Sequence, residues 1–375
     1  MKYKGTICLK IMLLMLMIAL SACYKQKKAG DNFEDNLSNG FYVFKGAIDD
    51  NDGLVMAIYI DSNKLYGYYF HDSSGVKHNV SGTIDDDNFL IEEKGNDGKL
   101  KASFSARLHD KERLKGAFKN TENLTQGVFK AKLVELSKEG NSAYISQLNL
   151  FKESTYSPNV TIPKIVLEEG RVADRINKQL DLKSVTGISF EDIQAEVVKS
   201  EAHHGMLHGI ISSDFAQKYN RENILCLRVV NQFLTNNHST VVKFYTFDLK
   251  TGDQIMGKDL LNPYTTKDLL ALCNTLLQDH IARKITEISA EEYAQNRFLF
   301  KNHKFGLEHI DAFYIEESTI VFCYDFNFPR DKQDLAPNAE LTFSFDEIKK
   351  YLNKRGPLRF MFEERAYKKR KNGRI

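Results

Sequence analysis

The sequence has no large excess of charge of one sign. Its 375 residues include 52 Lys and Arg against 50 Asp and Glu, a formal net charge of +2. Domains that bind nucleic acid usually carry a clear basic excess, so this balance argues against nucleic-acid partners. The basic run near the end, residues 368–371 with Arg374, is too short to change that, and we expect residues 366–375 to be a solvated tail.

The sequence also lacks, at its start, a hydrophobic run long enough to cross a bilayer. The apolar stretch at residues 11–20 is half of the roughly 20 residues that a spanning helix needs. Lys2, Lys4 and Lys10 surround its beginning, and small residues follow it. This order is typical of a secretory signal peptide, so we expect residues 1–22 to be removed on export.

The end of that segment, Leu20, Ser21, Ala22 and Cys23, resembles the lipobox of bacterial lipoproteins. The resemblance implies that Cys23 becomes the first residue of the mature chain and carries acyl chains such as palmitate. Two or three chains anchor a protein firmly, because each buried CH₂ contributes about 0.8 kcal/mol. Residues 23–40 are then the lipidated cysteine and a flexible polar tether. The alternative is an ordinary signal peptide with a chance cysteine.

Cysteine is scarce, with five in the whole sequence. Cys8 is lost with the signal and Cys23 is assigned to lipid, which leaves Cys226, Cys273 and Cys323. Three thiols cannot all pair within one chain, and each lies in an apolar run, so we expect buried free thiols. One disulfide among the three remains open.

Residues 41–137 contain short runs rich in Phe, Tyr, Val and Ile, separated about every 10 residues by Asp, Asn, Ser and Gly. This pattern predicts an antiparallel meander of about eight strands. A weak repeat places a glycine two residues before a bulky apolar residue; the glycines are Gly46, Gly67, Gly82, Gly116 and Gly127. Glycine within strands permits bends and close backbone approach, so we expect a strongly curved sheet, either a barrel or a sandwich.

Residues 144–365 predict an α+β domain, so the fold class as a whole is mainly β plus α+β. Val172, Ile176 and Leu180 share one face of a helix that begins after Gly170. Three alternating runs, at 210–219, 223–234 and 240–249, predict consecutive antiparallel strands. Further on we expect an amphipathic helix that is N-capped within residues 265–268, a hairpin at 313–326 and a capped helix at 344–352.

Several stretches of residues 144–362 resemble the extracellular domain shared by RsiV-type anti-sigma factors and PdaC-type peptidoglycan deacetylases. They are residues 223–225, His238 between two strands, 247–252, 258–261, 313–315 and 343–352. The resemblance implies a binding module, which in one member type recognises lysozyme, and makes His238 a candidate ligand-binding residue. The sequence departs from the family at Asn236 and Asn237, where a small Gly/Ala pair usually precedes the histidine.

Other candidate sites have simpler structural readings. His203, His204 and His208 form a local cluster, in which His204 and His208, four residues apart, could share a helix face and hold a metal with Glu201 as a further ligand. Gly205 and Gly209 favour a polar loop instead. The carboxylates at 85–87 and the acidic residues at 49–53 are predicted to be hairpin turns rather than a catalytic pair or a calcium loop.

Two further sets of residues are weak candidates for a functional site. Ser239, His238 and Asp248 lack a nucleophile-elbow sequence. Tyr66, Tyr68 and Tyr69 are either an aromatic glycan platform or core residues with cross-strand partners.

Together these features predict a lipid-anchored cell-envelope protein that binds an extracellular macromolecule, either a lysozyme-like protein or peptidoglycan glycan. We expect no enzymatic activity, no cofactor, and membrane lipid as a partner through Cys23. Tyr24 after the cysteine is not acidic, which by resemblance to sorting signals favours the outer membrane in a Gram-negative cell. The alternatives are a wall-acting hydrolase with unrecognised catalytic residues and a structural component of an envelope complex.

Overall fold

The N-terminal region is a closed eight-stranded antiparallel barrel. A computed structural model describes residues 37–50, 52–136, 141–151 and 155–362. The barrel strands follow one another in chain order, and β8 pairs with β1. They are β1 (Gly40–Ile48), β2 (Asp52–Asp61), β3 (Lys64–His71), β4 (His78–Asp85), β5 (Asn88–Lys94), β6 (Leu100–His109), β7 (Arg113–Asn120) and β8 (Gln126–Leu133). The predicted meander of eight strands is confirmed, and of the two curved forms the chain adopts the barrel.

The acidic turns join neighbouring strands as hairpins. Asp49 and Asp50 both have positive φ, 53° and 59°, which suits a tight turn with the twist of the flanking strands. Asp49 Oδ1 accepts a hydrogen bond from the Val128 N–H at 2.6 Å, and Asp50 pairs with Lys130 Nζ at 2.9 Å. The first acidic segment therefore closes the seam between β1, β2 and β8.

Glycines in the strands let neighbouring backbones approach closely. A Cβ atom added to Gly116 would lie 1.9 Å from the Ser105 carbonyl oxygen on β6, and one added to Gly46 would lie 2.0 Å from the Lys130 carbonyl. Real Cβ atoms do not come this near to a backbone oxygen. At four of its five positions the glycine repeat is thus required by the tight coiling that closes a small barrel; at Gly127 the nearest atoms belong to side chains.

Strand β2 is buried on both of its faces. Leu54, Met56 and Ile58 point into the barrel interior, whereas Val55 and Ala57 belong to a second core outside it. That second core also holds Phe70 of the barrel and residues from the α+β region that follows. The two regions therefore share a hydrophobic core, although the chain between them was expected to separate two domains; residues 137–140 lie outside the described part.

The α+β region begins with a five-stranded sheet covered on one face by three helices. The sheet order is β13-β12-β11-β10-β9, with only β10 and β11 parallel. Its strands are β9 (Tyr144–Asn149), β10 (Asn159–Val166), β11 (Gly209–Arg221), β12 (Ile224–Leu234) and β13 (His238–Asp248). The helices are α1 (Gly170–Gln179), α2 (Leu182–Thr186) and α3 (Phe190–His203). The predicted helix after position 170 and the three consecutive antiparallel strands are both present.

A third layer packs on the opposite face of this sheet. It contains α4 (Gly257–Leu260), α5 (Thr266–Glu287), α6 (Ala290–Asn296), β14 (Phe313–Ile315), β15 (Thr319–Cys323), β16 (Glu340–Ser344) and α7 (Phe345–Ile348). Its core meets the sheet at Tyr219, Ile224 and Cys226. None of the helices in the described ranges is long and apolar enough to span a membrane.

Two predicted caps had different outcomes. Ser344 caps α7 as expected, because its hydroxyl accepts from the Glu347 N–H and the Glu347 carboxylate accepts from the Ser344 N–H. Thr265 stands at the N-cap of α5 but forms no side-chain cap bond, so the predicted capping interaction there is wrong. Its hydroxyl instead points to the Asn262 carbonyl, 3.4 Å away.

We expect Gly116→Ala to lower the free energy of unfolding by about 2 kcal/mol or more, because the added methyl group must push β6 and β7 apart. Urea denaturation followed by circular dichroism would measure the loss. Gly205→Ala is the matched control, since nothing lies within 4 Å of a Cβ at that position. An equal, small effect of both substitutions would contradict the close-approach explanation.

Candidate functional site

The five-stranded sheet is only partly covered on the face that lacks the helices. Along β12, Leu225, Leu227 and Val229 point toward the helices and are buried. The alternate residues point the other way, and among them Cys226 is buried whereas Gln232 is exposed. The third layer therefore covers the first half of β12 and ends before the second half.

We call the uncovered part of this sheet the open face. Neighbouring residues on three strands form it: Ser212, Asp214 and Ala216 on β11; Arg228, Val230, Gln232 and Leu234 on β12; and His238, Thr240 and Val242 on β13. Each is exposed or partly exposed. The surface mixes one cation, one carboxylate, amide and hydroxyl groups, and branched apolar side chains.

Some polar side chains of the open face have hydrogen-bond partners within the chain, whereas Arg228 has no ion-pair partner in the described ranges. Ser212 Oγ donates to Gln232 Oε1 at 2.9 Å, and Asp214 Oδ1 accepts from the Phe215 N–H at 2.7 Å. Arg228 forms no ion pair with any residue of the described ranges. Its guanidinium, with five donors in a planar fork, is thus available to a carboxylate or a carbonyl of a partner.

The open face ends at an unpaired strand edge. The Thr246 carbonyl accepts from the Ile255 N–H at 2.7 Å, and the Asp248 N–H donates to the Asp253 carbonyl at 3.0 Å, so even-numbered residues of β13 direct their backbone groups away from β12. The pairing with β12 is continuous, so the same alternation holds at His238, Thr240, Val242 and Phe244. Residues 238–244, which we call the free edge, have no paired strand on this side in the described chain.

The candidate ligand-binding residue His238 lies on the open face and at the free edge. It is the first residue of β13, opposite Leu234, and its side chain is exposed. Ser239 is its neighbour, but Asp248 is at the other end of the strand, about 30 Å away at the rise of an extended chain. These three residues therefore do not form a catalytic triad.

The other histidine candidates lie apart from this surface and do not share one helix face. Helix α3 ends at His203, and His204 has a φ of 48° that stops the helix. The His203 imidazole donates to the Lys199 carbonyl, and His204 Nδ1 lies 3.1 Å from the Tyr156 hydroxyl. Within the described ranges, no group of three His, Cys, Asp or Glu residues is arranged to hold a metal ion.

A polar cluster inside one end of the barrel was not predicted from the sequence. The Tyr69 hydroxyl donates to Glu93 Oε2 at 2.8 Å, and His78 Nδ1 lies 3.1 Å from Glu93 Oε1. The Tyr69 and His78 rings stack with their centroids 4.9 Å apart, and His71 meets Tyr69 edge-on. The cluster satisfies an inward-pointing carboxylate at the barrel end. Glu93 does follow Phe89 and Ile91 in strict alternation along β5, a signal that could have placed it inside.

The same geometry decides the tyrosine hypothesis. Tyr69 is buried in the barrel and Tyr68 in the shared core, while Tyr66 remains 53% exposed beside Tyr59. Two of the three rings are therefore core residues, so of the two alternatives for these tyrosines the structure favours the core reading over a glycan platform.

All three described cysteines are free thiols. Burial raises the pKa of Cys273 to about 12 and also raises the pKa of Cys226. Burial, with a contribution from Glu340, raises the pKa of Cys323 to about 12. Because the thiolate is the reactive form, none of these thiols is suited to act as a nucleophile near neutral pH.

We expect Cys226, Cys273 and Cys323 to react with iodoacetamide at pH 8 about a hundredfold more slowly in the folded chain than in urea. Cys226 and Cys273 are buried, whereas Cys323 is only partly buried and is protected mainly by its raised pKa. Mass spectrometry of the three cysteine peptides after a short pulse would show this. A cysteine introduced at the exposed position Ser239 is the control that should label quickly. Rapid labelling of any of the three in the folded protein would contradict the assignment.

Comparison with known proteins gives structural neighbours only. No family model matches the chain, and no curated protein matches it. One similar solved structure is a member of the DUF3298 family from Bacteroides fragilis, with 13% identity, a TM-score of 0.35, and coverage of 58% of this chain and 96% of that one. Another is a DUF3298 family protein from Pseudomonas aeruginosa, with 12% identity, a TM-score of 0.39, and coverage of 58% and 97%. The structural neighbours of this chain are thus proteins of DUF3298, a domain of unknown function.

Proposed function

We propose that this protein is a lipid-anchored binding protein of the cell envelope and that the open face recognises an extracellular macromolecule. The observation that carries the proposal is the uncovered half of the five-stranded sheet, where Arg228 has no ion-pair partner in the described ranges and branched apolar side chains are exposed. An extended surface of this kind suits a macromolecule better than a small ligand, which needs a concave site.

The composition of the open face supports recognition of a protein or glycan. Interfaces that form between soluble partners are about as apolar as ordinary surface, and their binding energy is concentrated in a few residues, Arg among the most frequent. Arg228 lies beside Ala216 and Phe244 across the strands, in the part of the open face nearest the third layer. A partner that covers the open face would desolvate this guanidinium and pair with it.

The candidate ligands follow from the resemblance to the RsiV and PdaC extracellular domain, in which one member type binds lysozyme. A lysozyme-like protein is therefore the first candidate, and wall glycan is the second. Both are extracellular, in agreement with the proposed export and acylation at Cys23.

We expect the full chain in mild detergent to bind lysozyme, measured by isothermal titration calorimetry and by inhibition of muramidase activity. Arg228→Ala should weaken the affinity at least tenfold, about 1.4 kcal/mol, because it removes the guanidinium that a partner on the open face would desolvate and pair with. Arg171→Ala is the matched control, since Arg171 is exposed on α1, on the side of the sheet away from the open face. His238→Ala should also weaken binding, but by a smaller factor, because His238 lies at the rim of the open face.

If calorimetry shows no heat of binding and muramidase activity is not inhibited at high micromolar lysozyme, lysozyme is not the ligand. Sedimentation of the protein with purified peptidoglycan would then test the glycan version, with the same pair of arginine variants. Equal effects of Arg228→Ala and Arg171→Ala would show that the open face is not the site.

The proposed anchor makes a separate prediction. Cys23→Ser should move the protein from the membrane fraction to the soluble fraction of cells, because the thioether that holds the acyl chains can no longer form. Cys323→Ser is the control and should leave the protein with the membrane. Intact mass spectrometry of the native protein should show the acyl mass on a chain that starts at Cys23; an unmodified Cys23 would contradict the anchor.

A further inference from the structure

The free edge of β13 lacks the features that usually prevent strands from pairing with other chains. It contains no proline, and its pairing with β12 has no bulge. Its one lysine, Lys243, directs Nζ to the carbonyl oxygens of Ser184 and Val185, at 3.1 and 2.9 Å, and so toward the helices. Proline, bulges and outward charges are the common means by which sheet edges are protected.

The side chains of the free edge favour strand pairing. Val241 and Val242 are 41% and 39% exposed, and they point to opposite faces of the sheet. The middle of the strand therefore stands clear of both covering layers. Branched side chains with Thr240 beside them have high β propensity and are seldom left on a long, uncovered edge.

The opposite edge strand of the same sheet, β9, is covered, so the exposed edge of β13 is not shared by both ends of the sheet. The outer side of β9 faces the barrel: the Asn149 N–H donates to the Asp72 carbonyl at 3.1 Å, and Leu148 packs beside Gly75. The barrel itself is closed. Strand β14, at the edge of the small sheet, has only three residues. Among the described strands, β13 thus presents a long edge that nothing covers.

We propose that the free edge pairs antiparallel with the free edge of a second copy of this chain, so that two five-stranded sheets become one. Residues 246 and 248 are already bonded to 253–255, so pairing can use only residues 238–244 on each copy. The register that uses all of them places a two-fold axis at Val241. A residue that lies a given number of positions before Val241 in one copy is then opposite the residue that lies the same number of positions after Val241 in the other copy.

This register brings together compatible side chains. Thr240 faces Val242 of the other copy, His238 faces Phe244, and Val241 faces itself. Lys243 faces Ser239, so the two lysines are not opposite each other and like charges do not meet. The outward backbone groups of residues 238, 240, 242 and 244 would form about eight hydrogen bonds, two for each directly opposed pair. An isologous pairing of this kind closes on itself and does not propagate into a filament.

The dimer would place two open faces side by side on one continuous sheet. A ligand with two or more copies of the recognised group would then be held at both faces, which raises the apparent affinity without new contacts. The pairing depends only on the free edge, so a test of dimer formation is independent of a test of the ligand proposed above.

Cysteine cross-linking tests the register directly. Val241→Cys should form a disulfide with its own copy under mild oxidation, because opposed residues of this type have Cα atoms about 4.5 Å apart, within disulfide range. Ser239→Cys is the matched control: Ser239 is also exposed, but its copy would lie about four residues along the strand, roughly 13 Å away. The product would be read on a non-reducing gel and by mass spectrometry of the linked peptide.

A proline variant separates pairing from folding. The Thr240 N–H points away from β12, so Thr240→Pro removes two symmetry-related hydrogen bonds between the copies, one from each chain, and leaves the ladder within the chain intact. Sedimentation of the full chain in mild detergent should show a dimer that Thr240→Pro weakens at least tenfold, with the circular dichroism spectrum unchanged. Wild-type protein that stays monomeric up to about 100 µM, well above ordinary micromolar affinities, would overturn the proposal. Cross-linking of Val241→Cys no faster than Ser239→Cys would overturn it as well.

Discussion

The arrangement of the whole molecule depends on the burial of β2 on both faces. In an ordinary barrel one side of each strand meets solvent, but Val55 and Ala57 pack outward against the α+β region while Leu54 and Met56 pack inward. Apolar surface removed from water contributes roughly 25 cal/mol per Å², so a strand buried twice couples the two regions strongly. The barrel is therefore a covering layer of the five-stranded sheet as well as a unit with its own interior.

This packing decides which parts of the sheet remain accessible. The barrel lies against β9, α1 to α3 cover one face, and the third layer covers half of the other face through contacts such as the stacked pair of Phe244 and Tyr314. What remains is the far half of β11 to β13 and the free edge. Both proposals, for the open face and for the pairing of copies, concern the surface that three covering layers leave uncovered.

The residue predicted from the sequence and the surface proposed from the structure overlap at one position. His238 was singled out through a family resemblance, and the structure places it where the open face meets the free edge. Arg228 had no signal in the sequence, because an arginine inside an alternating strand is usually an ordinary outward residue. Its interest comes from the absence of an ion pair in the described chain, which depends on residues far away in sequence. The cluster of Tyr69, His78 and Glu93 was also not apparent from the sequence, because three separate strands bring these residues together.

By itself, the sequence determined the local features of this protein. Turn residues about every 10 positions specified the meander, glycines such as Gly116 permitted its close coiling, and alternation in β11 to β13 specified three paired strands, because these properties depend on neighbours along the chain. Only the tertiary structure decided that the barrel closes, that β2 is buried on both sides, and that β9 is covered while β13 is not. Burial of this kind is a property of surfaces brought together from distant segments, so no local pattern contains it.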